Sequence, residues 1–500
     1  MRILLTVALF VTLFVFFACE DYRDINDFDR SDYRPEFAVP LATGEFEFSE
    51  IIGQTSSESY LEVNEDGQVV FVFSGDVARQ GSLDIFNEIQ LIPFVAQDSC
   101  NVIPIPLTNE ILLDYAVLSG GSMSILSRNP YAEPIMVELY LPELRVDGEE
   151  YLREFGPFAP DESITIDQPL EGIELILGKE EMTICVTAIL PDGTRDRLPS
   201  DNTFGALRNM TFSYIEGYWD YEVIPMDEDT IEIEVFETLR RGDMFFEEPV
   251  VTVNLENSFG FPVRADIRAL EMYTITGDTF EIESPFVENG FDIEYPQNNG
   301  EFENTIFQFT KDNSNLPTAT SIKPLALYYD MYAIANPDRD TSITGFMSDS
   351  SEIIVRVDVR LPLKGRASEF EARDTVDFQV PETDGSYDIE DGELKLYFEN
   401  SIPVGLTVQG YLWDENNQVI DSLFGQDGIT VVGHDAATGA FTTTDAIVPF
   451  TQEQFDLWES AEKVHIVARF TSVNYPDIVT IRGDDKMRFG MGIKAELSNL

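Results

Sequence analysis

Side chains that commonly carry out acid–base or nucleophilic chemistry are scarce in this chain, apart from carboxylates. The 500 residues include two histidines, His434 and His465. Neither lies in a catalytic or zinc-binding motif, and no His-Glu-x-x-His, Gly-x-Ser-x-Gly or phosphate-loop pattern occurs in the sequence. His465 alternates with apolar residues, so we interpret it as a solvent-facing strand position. Two histidines outside any motif offer little for a zinc site or a Ser-His-Asp triad, and we predict a protein that is not an enzyme.

Carboxylates are abundant. The chain has 92 Asp and Glu against 31 Lys and Arg, a formal net charge of −61. This charge repels phosphate backbones and argues against a nucleic-acid partner. A facing pair of carboxylates for glycoside hydrolysis stays open as an alternative, but the sequence does not locate one. The acidic turns 64–67, 227–229 and 414–417 offer oxygen ligands that suit calcium, but their spacing matches no known calcium loop. We interpret them as ordinary turns and predict no metal or cofactor.

The N-terminus carries the most specific signal in the chain. Arg2 is followed by an apolar run over residues 3–18, interrupted by Thr6 and Thr12, and then by Cys19. This layout predicts a signal peptide over residues 1–18. The alternatives are cleavage by ordinary signal peptidase and a transmembrane anchor, for which a run of about sixteen residues is short.

The end of the apolar run resembles a bacterial lipoprotein signal, in which a cysteine is lipidated and becomes the mature N-terminus. Ala18 precedes Cys19 as in that signal, whereas Phe16 stands where Leu, Val or Ile is usual. Residues 19–37 are rich in Asp and predict a solvated tether. An acidic cluster after the cysteine also resembles the export signal of surface lipoproteins of the Bacteroidota. The resemblance implies anchoring in the outer membrane through lipid on Cys19, at the cell surface.

The two remaining cysteines, Cys100 and Cys185, would lie in an oxidising compartment and fall within the first predicted globular region. Cys185 lies in an alternating strand pattern with Ile184 and Val186. A disulfide between the two cysteines and a buried free thiol at Cys185 are both compatible with the sequence, because pairing depends on geometry.

Three tryptophans, Trp219, Trp413 and Trp458, are candidates for a sugar-stacking platform. Trp413 shares a predicted strand face with Tyr411 and precedes an exposed turn, so these two residues form the best candidate site. Core packing is the alternative for each ring, because aromatic residues dominate sandwich interiors. An exposed line of aromatics near Trp413 would favour glycan binding, and burial of all three tryptophans would argue against it.

The elements that position these residues are predicted to be almost all strands. In the stretch 249–269, Val251, Val253 and Leu255 alternate with polar residues, residues 257–262 supply turn formers, and alternation resumes at Val263. This pattern predicts a β-hairpin. The sequence 452–463 is the one predicted helix, close to the C-terminus, with Thr451 as its N-cap.

Two further stretches share the layout of this hairpin. Apolar residues lie six and four positions before an asparagine and one, three and five positions after a proline. The aligned turns begin at Asn129, Asn257 and Asn400 and end at Pro134, Pro262 and Pro403. We interpret them as three copies of one unit, the alternative being chance alignment of common turn residues. The chain is then predicted to be all-β, with tandem β-sandwich domains at 38–201, 202–387 and 388–500 after the signal peptide 1–18 and the tether 19–37.

A strand that runs into Asn129-Pro130 and out again as an alternating strand is similar to the β-sandwich of the WHy domains of late-embryogenesis-abundant proteins. Asn257 and Asn400 are followed by serine instead, so this likeness is local. The whole chain more closely resembles uncharacterised outer-membrane or surface lipoproteins of the Bacteroidota, a family with no assigned reaction. The resemblance implies Ig-like or WHy-like sandwiches that serve as a non-catalytic scaffold or protein-interaction module in the envelope. The alternative is a surface glycan-binding lipoprotein of a polysaccharide uptake system, so the partners are the membrane and either envelope proteins or glycans.

Overall fold

The computed structural model describes residues 36–47, 53–54, 59–82, 89–105, 111–177, 181–199, 203–226, 228–233, 242–274, 277–378, 387–435 and 441–499. The predicted signal peptide and Cys19 lie outside these residues. The described chain is almost all strand, with antiparallel pairing in every sheet, which confirms the predicted all-β fold.

The first fourteen strands are β1 (Glu36–Glu47), β2 (Gly53–Gln54), β3 (Ser59–Val63), β4 (Val69–Gly81), β5 (Ile89–Val95), β6 (Cys100–Pro104), β7 (Ile111–Arg128), β8 (Ile135–Val146), β9 (Glu149–Phe158), β10 (Ser163–Pro169), β11 (Glu174–Ile176), β12 (Glu181–Ile189), β13 (Arg195–Arg197) and β14 (Phe204–Trp219). The next thirteen are β15 (Glu222–Pro225), β16 (Asp229–Glu232), β17 (Asp243–Phe246), β18 (Val250–Asn257), β19 (Val263–Thr274), β20 (Thr279–Glu281), β21 (Phe291–Ile293), β22 (Glu303–Phe309), β23 (Pro324–Ala335), β24 (Gly345–Ser348), β25 (Glu352–Pro362), β26 (Lys364–Ser368) and β27 (Phe370–Asp377). The last eight are β28 (Tyr387–Asn400), β29 (Val404–Trp413), β30 (Val419–Ser422), β31 (Ile429–Val431), β32 (Thr442–Phe450), β33 (Lys463–Ser472), β34 (Val479–Thr480) and β35 (Lys486–Asn499). Three short helices are α1 (Pro285–Asn289), α2 (Leu316–Ser321) and α3 (Gln452–Glu459).

The same arrangement of strands occurs three times, and we call the copies the first, second and third units. In each unit one strand ends at an asparagine turn and lies between two antiparallel neighbours: β7 between β10 and β14, β18 between β22 and β25, and β28 between β32 and β35. The strand after the turn builds the opposite layer, where β8 pairs with β12, β19 with β23 and β29 with β33. Two layers meet at the asparagine turn in each sandwich, and in the first unit β11 pairs with both β7 and β8, so its layers belong to one continuous sheet.

Period-two alternation supplies the core between the layers. In β8 the side chains of Ile135, Val137, Leu139 and Leu141 are fully buried, while the residues between them are partly exposed. One continuous apolar cluster extends from the first unit into the second, where it includes Phe261. The third unit has separate clusters of its own.

An N-terminal segment, residues 36–95, lies outside this threefold pattern and adds strands to all three units. β1 pairs with β35 in the third unit, β4 pairs with β25 in the second, and β5 pairs with β14 in the first. In every case the added strand is antiparallel and lies beside the last long strand of the unit, which we call the closing strand. The three sandwiches are therefore joined by one segment as well as in sequence.

Complementary side chains hold this segment on the closing strands. Arg356 on β25 donates to Asp76 at 2.9 Å, and Arg488 on β35 pairs with Glu45. At the first unit the contact is apolar. Gly205 lies opposite Phe94, and a Cβ atom at position 205 would come 2.1 Å from the Phe94 ring. The glycine therefore lets the ring lie directly against the closing strand.

Strand pairing moves the predicted domain boundaries. The range 38–201 was predicted to be one domain, but its β1 and β4 belong to the sheets of the third and second units. The closing strand of the first unit, β14, falls inside the predicted range 202–387. The prediction placed each strand with its neighbours in sequence, whereas antiparallel pairing joins strands hundreds of residues apart.

The prediction of a single short helix also needs correction. Helix α3 follows Thr451, whose hydroxyl accepts from the Gln454 amide in a capping box, and it ends at Glu459 rather than at residue 463. Helices α1 and α2 were not predicted. Each has a proline in its first turn, and Ser284 caps α1. These are known helix-start signals, but helices of five and six residues leave too few turns for a periodic pattern.

Candidate functional site

The predicted site around Trp413 lies on the outer face of the sheet formed by β27, β33 and β29 in the third unit. Alternation along β29 points Leu412 into the core, where it is fully buried, and directs Tyr411 and Trp413 outward. Tyr411 pairs with His465 on β33, which pairs in turn with Thr375 on β27. The register of three strands therefore brings an aromatic, an imidazole and a hydroxyl into one row.

Trp413 and His465 form a stacked pair within this cluster. Their ring centroids are 4.7 Å apart and the rings are inclined by 16°. The Nδ1 atom of His465 lies 2.9 Å from the Thr375 hydroxyl, which fixes the orientation of the imidazole. The indole N–H of Trp413 is buried and has no hydrogen-bond partner among the described residues. Trp413 is thus half-buried, with one face of its ring occupied by His465.

The other two tryptophans are core residues. Trp219 is 3% exposed and stacks on Phe261 with the ring centroids 4.5 Å apart. Trp458 is 4% exposed, and its indole N–H donates to Asp421 at 2.9 Å. The structure therefore does not bring the three tryptophans together in an exposed line. Trp413 and Tyr411 keep the surface position that a binding platform requires.

The imidazole of His465 is the member of this cluster that sequence reasoning missed. We interpreted His465 as an ordinary solvent-facing strand position. It does lie on the outer face, but the strand register places it beside Trp413 and Tyr411. No local pattern shows this, because the two strands are about fifty residues apart in sequence and their register follows from the whole sheet. The other histidine, His434, follows β31 and lies apart from this cluster, with its backbone N–H donating to Ile402.

The acidic turns use their oxygens on the backbone. The carboxylate of Asp414 accepts from the amides of Asn416 and Gln418 at 2.9 and 2.8 Å, and these bonds lower the pKa of Asp414. Asn64 caps the turn 64–67 in the same way, accepting from Asp66 and Gln68. The turn 227–229 lies partly outside the described residues. Among those described, no three His, Cys, Asp or Glu side chains are grouped so that they could hold a metal ion.

Cys100 and Cys185 are bonded to each other in the structure. They occupy directly opposite positions on β6 and β12, with an S–S distance of 2.05 Å and a sequence separation of 85. Cys185 is buried and Cys100 is exposed. The bond therefore links β6 covalently to its neighbour β12, in the layer of the first unit that contains β8.

The three turn asparagines are fully buried, although asparagine is common in exposed turns and the sequence alone did not predict their burial. In each, the side-chain oxygen accepts from the amide two residues later: Tyr131, Phe259 or Ile402. The side-chain amide donates to carbonyls of a segment some thirty residues further on, such as Phe158 for Asn129 and Val432 for Asn400. The three copies thus share one hydrogen-bonding pattern, and their asparagines register the two layers rather than face a ligand.

An exposed apolar row on the first unit is a further feature that the sequence did not show. Val95, Phe204 and Leu126 are neighbours across β5, β14 and β7, on the outer face of the sheet. Their side chains are 43%, 51% and 50% exposed. Contiguous exposed apolar side chains often mark contact surfaces for other macromolecules. The row is formed by strand pairing, so its members are distant in sequence.

No helix in the part of the chain that the structure describes combines the length and apolar character needed to cross a bilayer.

Comparisons with known proteins leave the family open. No protein-family model matches the chain, and no curated protein matches it. A Parabacteroides distasonis protein described as secreted is similar in structure, with 17% identity over 57% of this chain and 89% of that chain and a TM-score of 0.30. A structure of the infectious bursal disease virus Gx strain shares 9% identity over 90% of this chain and 82% of that chain, with a TM-score of 0.15. Likenesses this low carry no argument about function, and the all-β assignment stands on the strands of this chain.

Proposed function

We propose that this chain is a lipid-anchored protein of the cell envelope, in which tandem β-sandwiches act as a non-catalytic scaffold or protein-interaction module. The observation that carries the proposal is the N-terminal segment. It adds β1 to the third sandwich, β2, β3 and β4 to the second and β5 to the first, and it begins at Glu36, shortly after the lipoprotein-like signal at Cys19. A lipid on Cys19 would therefore hold all three units as one body at an outer-membrane surface.

The anchoring part of the proposal is tested by replacing Cys19 with serine and fractionating the cells. We expect the wild-type chain in the outer-membrane fraction and the Cys19→Ser variant in the soluble fraction. The matched control is Cys100→Ser, which removes a cysteine from the folded part of the chain and leaves the signal intact. Retention of Cys19→Ser in the outer membrane would show that the lipid anchor is wrong.

The interaction part is tested at the exposed row of the first unit. A photo-crosslinking residue at Phe204 should give discrete protein adducts in intact cells, because this position is half exposed and flanked by Val95 and Leu126. The control places the same residue at Thr165, an exposed polar position that pairs with Leu126 on the same face. If neither position gives an adduct, this surface does not bind a protein partner in the cell.

Glycan binding is the second candidate, and the half-buried Trp413, which keeps part of its ring at the surface, favours it. Lys463 lies opposite Trp413, and Tyr411 and His465 lie beside it on the same face, so groups that donate or accept hydrogen bonds are next to the indole, as recognition of a sugar requires. Affinity electrophoresis against a panel of polysaccharides tests the candidate. A polysaccharide that slows the migration of the wild-type protein should not slow that of Trp413→Ala. It should still slow that of Phe302→Ala, a control in which an exposed aromatic side chain elsewhere is removed. Binding that is equal in the two variants would exclude Trp413 as the platform.

A further inference from the structure

Three strands of the N-terminal segment, β1, β4 and β5, run in the same sense relative to the closing strands of the three units, whereas β3 runs back along β4. β1 follows β35 from Glu36 opposite Glu496 to Glu47 opposite Lys486, so it ends where the closing strand begins. β4 follows β25 in the same sense and ends at Gly81 opposite Glu352, and β5 follows β14 and ends at Val95 opposite Phe204. Each closing strand begins beside the asparagine turn of its own unit. Each of β1, β4 and β5 therefore runs towards the asparagine turn of the unit that it joins.

Contacts between units show the order in which the segment meets them. Where β3 turns into β4, the segment forms a bridge between Gln68 and Arg482, just before the closing strand of the third unit, and Val69 donates to Ile481 at 3.0 Å. At the far end of the second unit, Ser82 donates to Ser351 at 2.9 Å. The segment then continues into the first unit as β5. Its order of contact is third, second, first, which is the reverse of the order of the units in the sequence.

One end of the third unit carries the start of this segment. Glu36 lies opposite Glu496, near the start of β28, and Gly392 on that strand lies opposite Phe450, which precedes helix α3. The same end of the sandwich holds the turn 414–417, since Trp413 pairs with Lys463, which follows α3. The chain between Cys19 and this end is seventeen residues long and reaches at most about 60 Å when fully extended.

We propose that the anchored molecule stands with its third unit next to the bilayer and its first unit outermost. This orientation rests on the proposed lipid at Cys19. The bilayer surface is met by the end of the third unit that contains the turn 414–417, helix α3 and the start of β1. Strand rise along β1, β4 and β5 amounts to on the order of 100 Å, which exceeds the reach of the tether, so the far end of the first unit cannot take the place of the third unit at the bilayer. The row of Val95, Phe204 and Leu126 is then presented outward.

The charge of the bilayer-facing end sets the kind of contact. Asp414, Glu415, Glu453 and Glu459 are at this end; the three glutamates are exposed, and Asp414 is half-buried. Carboxylates are repelled by anionic lipid headgroups, and this repulsion is screened beyond about 10 Å at ordinary salt. The tether therefore holds the third unit near the surface without insertion, and a neutral or zwitterionic headgroup layer is the partner that fits.

Energy transfer to the bilayer tests this orientation. The chain from Cys19 onward is coupled through the Cys19 thiol to a maleimide lipid in phosphatidylcholine vesicles that carry an acceptor dye in the headgroup layer. A donor dye is attached through a non-natural residue at Glu415 or at Glu133. Both are exposed glutamates in turns, Glu415 in the third unit and Glu133 at the asparagine turn of the first, so the two variants lose the same charge.

We expect energy transfer from position 415 to exceed that from position 133 by on the order of threefold or more, given the length of the segment. Equal transfer would mean that the molecule lies flat on the bilayer, and greater transfer from position 133 would mean that the first unit is proximal. Either result would overturn the proposed orientation. Because the lipid is attached chemically in vesicles, the result does not depend on whether cells lipidate Cys19, which the fractionation experiment tests separately.

Discussion

Replacement of the buried turn asparagines should destabilise the three units in proportion to the hydrogen bonds that each side chain makes. Asn129 is fully buried, and its oxygen accepts from the Tyr131 amide at 2.8 Å. Its amide donates to the carbonyls of Glu133, Phe158 and Ala159, each at 3.0 Å. Asn129→Ala leaves one buried N–H and up to three carbonyls without their partner. At about 1 kcal/mol for each of the four bonds, the free energy of unfolding should fall by about 4 kcal/mol.

The other two asparagines set the expected order. Asn400 makes three such bonds and Asn257 makes two. Losses of about 3 and about 2 kcal/mol are then expected for their alanine variants, with Asn257→Ala the mildest. Asn299→Ala is the control. Asn299 is an exposed residue, and its replacement should change stability by less than about 0.5 kcal/mol.

Hydrogen exchange followed by mass spectrometry is the suitable assay, because three units need not unfold together and one midpoint would average them. The loss of protection should be confined to the unit that carries the substitution. Asn129→Asp provides an internal check. Its carboxylate can accept from Tyr131 but faces three carbonyls, so burial should raise its pKa and acidification should restore part of the lost protection. If Asn129→Ala behaved like Asn299→Ala, the turn asparagines would not hold the two layers together.

Three further predictions concern single contacts. The hydrogen bond from Arg488 lowers the pKa of Glu45, so the folded pKa lies below the unfolded value of 4.5. The stability that this pair gives to β1 is therefore present above the unfolded value and is lost as pH falls through the folded pKa. An acid titration of the unfolding midpoint should show this loss in the wild-type protein and not in Arg488→Met. Removal of the Cys100 to Cys185 bond by double serine substitution should lower the stability of the first unit by up to about 4.5 kcal/mol, from the entropy of its 85-residue separation, as measured by urea unfolding. Thr451→Ala should cost about 1 kcal/mol through loss of the helix cap, whereas Thr451→Ser should cost little in the same measurement.

The sequence predicts individual strands and turns well, because both depend on neighbouring residues. Alternation around 249–269 predicts β18 and β19, and the turn formers between them predict where the chain reverses. The same alternation places Trp413 and Tyr411 on one outward face, as the structure shows. Period-two alternation does not specify which strand lies beside a given strand. Any strand with a buried face satisfies the same pattern, so the pairing of β1 with β35 could not be predicted.

In the candidate site, too, local spacing identifies some residues and strand pairing brings in the others. Trp413 and its strand neighbour Tyr411 are found from local spacing, whereas His465 and Thr375 join the cluster through cross-strand register. The burial of Trp219 and Trp458 likewise depends on which layer covers them. A platform built from side chains of several strands is therefore visible from sequence only in the part that one strand supplies.

The pairing of the first strand with the last one has a consequence for folding. β1 is synthesised first, yet its neighbour β35 ends at Asn499, so the third sheet is completed only when the whole chain is present. The second and first units receive β4 and β5 from the same segment and can close earlier, when β25 and β14 have been made. Contacts that span most of the chain form slowly, because the loop must be closed before they contribute. The unit that we place nearest the membrane is therefore the one whose sheet can be completed only last.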